Sequence, residues 1–91
     1  MTFYPSQMQK LPITIDAEWD PEASVWVATS EDIDGFVMED RTIERLVERA
    51  PGVLQDLIEL NHVLLPAGIT DVPFEVRAVR SGQFSADLIG A

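Results

Sequence analysis

Residues able to do chemistry are few in this chain, and their spacing narrows what they could do. Cysteine is absent and histidine occurs once, at His62. That excludes thiolate zinc sites, cysteine nucleophiles, disulfide scaffolds and histidine-pair metal sites together. No Gly-x-Ser-x-Gly elbow accompanies His62, so no Ser-His-Asp arrangement anchored by one can be assembled. Near a helix end, His62 is expected to meet free carbonyls or solvent. Glu31, Asp32 and Asp34 cluster in a short turn. They could hold a cation, but the remaining ligands of a calcium loop are missing, so they read as ordinary turn residues. Arg41, Arg45 and Arg49 recur every four residues. They draw a basic line on one helix face, either solvated and paired locally, as Arg45 with Glu48, or turned to an acidic partner surface.

Charge sets the broader limits. Sixteen Asp plus Glu against six Lys plus Arg give a formal net charge of -10 over 91 residues. Phosphate backbones repel such a chain, so no direct nucleic-acid ligand is expected. No stretch approaches the ~20 apolar residues of a membrane span, and no apolar run follows a basic start, so a cytoplasmic location is expected. Neither metal nor cofactor is implied by any motif.

The elements that must position these residues follow from periodicity. Residues 1–10 show neither helical nor strand period and read as a flexible arm that orders only on association. Ile13, Ile15, Ala17 and Trp19 alternate with Thr14, Asp16 and Glu18, the signature of a half-buried strand. Asp20-Pro21-Glu22-Ala23 is a turn, and Val25–Thr29 a second strand in an antiparallel hairpin. A four-residue loop, Asp20 to Ala23, sets Trp19 opposite Ser24 and Ala17 opposite Trp26, with Val25 and Val27 on the outer face. A five-residue loop reverses the faces and turns Trp26 outward; room for the indole over Ala17 favours the first. Gly35 closes a second reversal before a third strand, Phe36 to Glu39.

Thr42 is placed to cap a helix with Glu44 in its first turn. Ile43, Leu46, Val47, Ala50, Leu54, Leu57 and Ile58 form its buried stripe, while Val53, Leu60 and Leu64 fall outside it and face either the last strand or a second subunit. Pro51 kinks this helix or restarts it. After Asn61-His62, Pro66-Ala67-Gly68 is expected to close it, and Phe74–Val79 reads as a fourth strand. Residues 81–91 form a tail, leaving a single domain over 11–80. The fold class is α+β, order β-β-β-α-β: a small, antiparallel-rich sheet with one helix on one face. Its other face has no cover from this chain. Thr14, Asp16 and Glu18 lie there with an apolar pair, Val25 and Val27, or with Trp26 in the alternative register. An acidic face with an apolar centre suits a protein partner. The same apolar centre predicts a homodimer or higher even oligomer.

The segment Val25-Trp26-Val27-Ala28-Thr29-Ser30-Glu31-Asp32-Ile33-Asp34-Gly35, followed by a short strand and Thr42-Ile43-Glu44, resembles the HicB-like antitoxin family. There a strand ending in a proline-containing Asp-Leu turn leads to a Thr-x-Glu-Glu helix start. The resemblance spans about Ile13 to Asn61 and is nearest a short bacterial branch without an assigned function. It implies a partial ribonuclease H-like fold and a small, basic, HicA-like toxin that cleaves messenger RNA. Glu31 and Asp34 replace both prolines of the turn, and Arg45 the second glutamate. About a dozen residues follow strand four, too few for the DNA-binding segment many relatives carry. Ribonuclease H chemistry would need carboxylates from the first strand, helix and last strand around two metal ions, and the nearest set is Asp16, Glu44 or Glu48, and Glu75. Asp16 belongs to the polar phase of strand one, away from the helix, so these read as solvated carboxylates and no enzyme activity is expected. The expected function is antitoxin-type binding, with Asp32 and Asp34 joining Thr14, Asp16, Glu18, Val25, Val27 and Trp26 as candidate contacts. The alternative is a stand-alone homo-oligomeric interaction module.

Overall fold

The computed structural model describes residues 8–90. Residues 1–7 of the expected arm, and Ala91 of the expected tail, lie outside the described residues. Four strands form one sheet: β1 (Ile13–Asp20), β2 (Val25–Thr29), β3 (Val37–Asp40) and β4 (Phe74–Val79). Helix α1 (Ile43–Leu60) separates the last two. The spatial order is β3-β2-β1-β4, with β1 antiparallel to β2, β2 antiparallel to β3, and β1 parallel to β4. The parallel partner follows from the crossover: α1 spans ~27 Å at 1.5 Å per residue and carries the chain over β2 and β1 to the far edge. This is the β-β-β-α-β order expected from periodicity.

The core lies between α1 and one sheet face. Ile13, Ile15 and Ala17 of β1, Ala28 of β2 and Met38 of β3 are buried with Ile33 and Phe36 of the intervening loop. Leu46, Ala50 and Leu54 meet them from α1, four residues apart, as one face of a 3.6-residue helix requires. Val53 packs against this core, whereas Val47 is 39% exposed, so the stripe is rotated toward Val53 from the expected one. Leu60 and Leu64 are exposed.

Both ends of α1 are closed by local chemistry. Thr42 Oγ1 accepts from the Arg45 N–H at 3.1 Å, satisfying a free first-turn donor. Pro51 sits inside one continuous helix, so no restart occurs there. The C-terminus falls at Asn61, well before Pro66-Ala67-Gly68. His62 takes a left-handed φ of 53°, its N–H donates to the Glu59 carbonyl, and the Val63 N–H donates to the Ile58 carbonyl at 3.0 Å. That pair of bonds is a Schellman closure, with histidine in the position glycine usually occupies.

The hairpin turns one residue later than expected. Asp20 still pairs with Val25, and the loop is Pro21 to Ser24. Asp20 Oδ1 accepts from the Glu22 and Ala23 N–H groups at 3.0 and 3.3 Å, and Ser24 adopts a φ of 55° that returns the chain to the ladder. Ala17 therefore faces Ala28, and Trp19 faces Trp26, rather than Ala17 facing Trp26. The shift is two residues in pairing, so each side chain keeps the face expected for the four-residue loop. β3 likewise begins at Val37 instead of Phe36. Residues Ala86–Ile89 of the expected tail form one 3₁₀ turn capped by Ser85.

Candidate protein-docking face

Strand pairing places every open-face residue in rows across the sheet. One row runs Val37, Thr29, Asp16, Arg77, and the next Glu39, Val27, Glu18, Val79. Thr14 and Glu75 are paired at one end of the face, and Val25 lies opposite Asp20 at the other. Val37 and Val79 are 63% and 67% exposed. The surface is thus a pair of half-buried valines, Val25 and Val27, flanked by two exposed ones and set among Asp16, Glu18, Glu39 and Glu75. Its one cation, Arg77, is bound by Glu75 at 2.7 Å. Asp16, Glu18, Val25 and Val27 therefore come together as expected.

Trp26 does not join them. It lies on the helix side, partly buried against the core, with the Trp19 ring edge-on at 5.6 Å and 67°. The Arg80 guanidinium sits 4.0 Å over the Trp19 ring. This row is a covered aromatic pair under a cation, so Trp26 is removed from the docking candidates.

Asp32 has a structural task that its exposure conceals. Beyond Thr29 the β2 backbone leaves β1, and two side chains replace it. Asp32 Oδ2 accepts from the Thr14 N–H at 2.8 Å, and Ser30 Oγ donates to the Thr14 carbonyl at 2.7 Å. Ser30 Oγ also accepts from the Asp32 and Ile33 N–H groups, which fixes the turn that drives Ile33 into the core. Gly35, at φ 82°, turns against Leu57, and Asn61 Nδ2 holds the Asp34 carbonyl at 2.9 Å. Thr14 and Asp32 thus extend the ladder, and Asp34 contributes its backbone to the helix end.

Asp40 was not singled out from sequence, yet it organises the arginine line. Arg49 Nη1 donates to Asp40 Oδ2 at 2.8 Å and to the Glu39 carbonyl at 2.9 Å, and Arg45 Nε lies 3.5 Å from Asp40 Oδ1. The Arg41 backbone N–H completes the set at 2.7 Å. The Arg49 hydrogen bond foremost holds the Asp40 carboxyl below its ordinary value; burial opposes it, and the Arg41 and Thr42 backbone donors and the charge of Arg45 add to the lowering. Arg45 therefore pairs with Asp40, not Glu48, and two of the three arginines tie α1 to the end of β3. The only hint in the sequence is an acid two residues before the helix cap.

The acids that ribonuclease H chemistry would need are split by the sheet. Asp16 and Glu75 are on the open face, whereas Glu44 and Glu48 are on α1 behind it. Among the described residues, no group of three or more His, Asp or Glu side chains is placed to hold a metal ion, and no helix is long and apolar enough to cross a membrane.

Fold and site define a two-layer α+β domain with one helix-covered and one open, acidic sheet face. Residues 12–85 match the family model described as a domain of unknown function, DUF1902, and the chain belongs to that family. It is similar to the solved hypothetical protein TTHA1013 from the extremely thermophilic bacterium Thermus thermophilus. Identity is 35%, the match covers 79% of this chain and 97% of that one, and the TM-score is 0.65. No curated protein matches.

Proposed function

We propose that this chain is an antitoxin-type binding protein whose open face occludes a small basic protein, a HicA-like toxin that cleaves messenger RNA. The observation that carries the reading is the row Glu39, Val27, Glu18, Val79 beside Val37, Thr29, Asp16: apolar contacts ringed by carboxylates on a face that no element among the described residues covers. Carboxylates steer a cationic partner, and desolvated valines retain it once docked. The same charge opposes self-pairing of two such faces, which favours a basic partner over a second copy on this surface. The HicB-like turn and helix start support the partner class. Occlusion needs no reacting group in this chain: bound over the toxin's cationic RNA-binding surface, the face would compete with RNA for the same charges.

Co-expression with the product of a short basic reading frame adjacent to this gene tests the proposal, with growth as readout. The parent is expected to restore growth, and Asp16→Lys with Glu18→Lys to fail at matched expression. Glu48→Lys with Asp56→Lys makes the same change in net charge on α1 and is expected to rescue. Absence of such a frame, or full rescue by the open-face pair, overturns the reading.

A further inference from the structure

The second exposed feature is an edge. β4 pairs with β1 on one side only, and among the described residues its other side has no partner strand. From Arg77 to Gly90, each residue with a described environment is exposed, on both sides of the sheet and along the chain that leaves it. That chain carries Phe84, 71% exposed, and Ile89, 72% exposed. The Cα radius of gyration is 17.6 Å. A compact chain of this length would have ~12 Å, so apolar residues are held away from their own core.

We propose that β4 pairs antiparallel with β4 of a second copy, centred on Val76, to form a continuous eight-stranded sheet. The strand is self-complementary in this register. A twofold axis at Val76 sets Glu75 of each copy opposite Arg77 of the other, so the Glu75–Arg77 pair seen within one chain becomes an alternating quartet of charges. Phe74 comes opposite Ala78 on the helix side, joining a large residue to a small one. Centring on Arg77 would instead oppose two arginines. The same register carries each exposed arm past residues 68–73 of the other copy. There a groove lined by Leu54, Ile58, Leu65, Val72 and Phe74 lies between α1 and the edge. Phe84 comes level with Gly68 beside that groove, which gives the exposed ring an apolar seat. The pairing leaves both acidic faces bare and on the same side, so it stands independently of what docks there.

Sedimentation equilibrium of the full chain between ~1 and ~100 μM tests the pairing by mass action. The parent is expected to reach twice its 10.1 kDa mass. Glu75→Arg and Arg77→Glu singly place like charges opposite at two symmetric positions and should each weaken the dimer roughly tenfold or more. Combined, they restore opposite charges and should restore the parent's affinity. Phe84→Ser should weaken it with no change in fold, since the ring is exposed in the single chain. Amide exchange along β4 gives a second readout, with protection expected to rise with concentration. A monomeric parent at the upper concentration, single reversals without effect, or a double reversal that stays monomeric would overturn the pairing. A dimer broken by Val27→Asp but indifferent to the edge variants would also overturn it, by assigning the contact to the open face.

Discussion

Helix α1 is held by one face, so two adjacent substitutions should behave very differently. Leu46 is fully buried among Ile13, Ile15, Ala28 and Met38, whereas Val47, the next residue, is 39% exposed. Leu46→Ala removes three buried carbons and leaves a cavity that fixed strands cannot collapse around, a change that costs about 2–5 kcal/mol. A domain of this length has roughly 5–14 kcal/mol in total, so the loss is a large fraction. At ~4–8 °C per kcal/mol for a domain near this size, a 3 kcal/mol loss lowers Tm by roughly 12–24 °C. Val47→Ala loses partly hydrated methyls and gains about half a kcal/mol of helix propensity, so its Tm should stay within ~3 °C of the parent. Thermal melts followed at 222 nm give both Tm values and urea unfolding the matching free energies, with an unchanged m-value showing that the transition stays two-state. Equal losses at the two positions would refute the described placement of α1 on the sheet.

Three further outcomes follow from particular contacts. His62→Gly relieves a left-handed residue at the helix end and should raise stability by about 0.5–1 kcal/mol in the same urea experiment; a loss would mean the histidine ring contributes a contact that outweighs the strain. The folded-state pKa of Asp40 is depressed, so its stabilisation is whole above the ordinary carboxylate value of ~3.9 and disappears as pH falls through the lower folded value. The Tm gap between the parent and Asp40→Asn should therefore be widest at neutral pH and shrink in strong acid, and a gap that grows on acidification would contradict the Arg49 pairing. With a net charge of -10, and Arg45, Arg49 and Arg77 already engaged by acids, the protein should not retard duplex DNA at ~10 μM in ~150 mM salt; a clear shift would overturn the charge argument.

Alternation made the site legible where side chains obey a simple period. Asp16 and Glu18 had to oppose Ile15 and Ala17, and any hairpin register of the same parity sends Val25 and Val27 to their side, so the open face was readable before its exact pairs. The pairs themselves depend on Ser24, and the helix end on His62. Both adopt positive φ, a state uncommon for any residue with a side chain even though histidine enters it more readily than most, which is why the turn and the helix stop were misplaced by sequence reasoning. The roles of Asp32 and Asp40 were hidden for another reason. Each serves a backbone or side chain that is remote in sequence, Thr14 for the first and Arg49 for the second, and no periodicity encodes such a contact. Val53 joined the core because a wide sheet accepts a broader apolar stripe than the central spacing of Leu46, Ala50 and Leu54 defines.

The central claim is that the open acidic face captures a basic protein, and direct titration tests it most plainly. The purified product of the adjacent basic frame, held inactive by a substitution in its own catalytic residues, would be titrated by calorimetry into the parent, the Asp16→Lys/Glu18→Lys pair and the Glu48→Lys/Asp56→Lys pair at ~50 and ~300 mM salt. The account expects tight binding by the parent that weakens with salt, a loss of at least tenfold in affinity with a flatter salt response for the open-face pair, and near-parent binding for the helix pair. Equal affinity and equal salt dependence for the parent and the open-face pair would place the contact elsewhere and contradict the account.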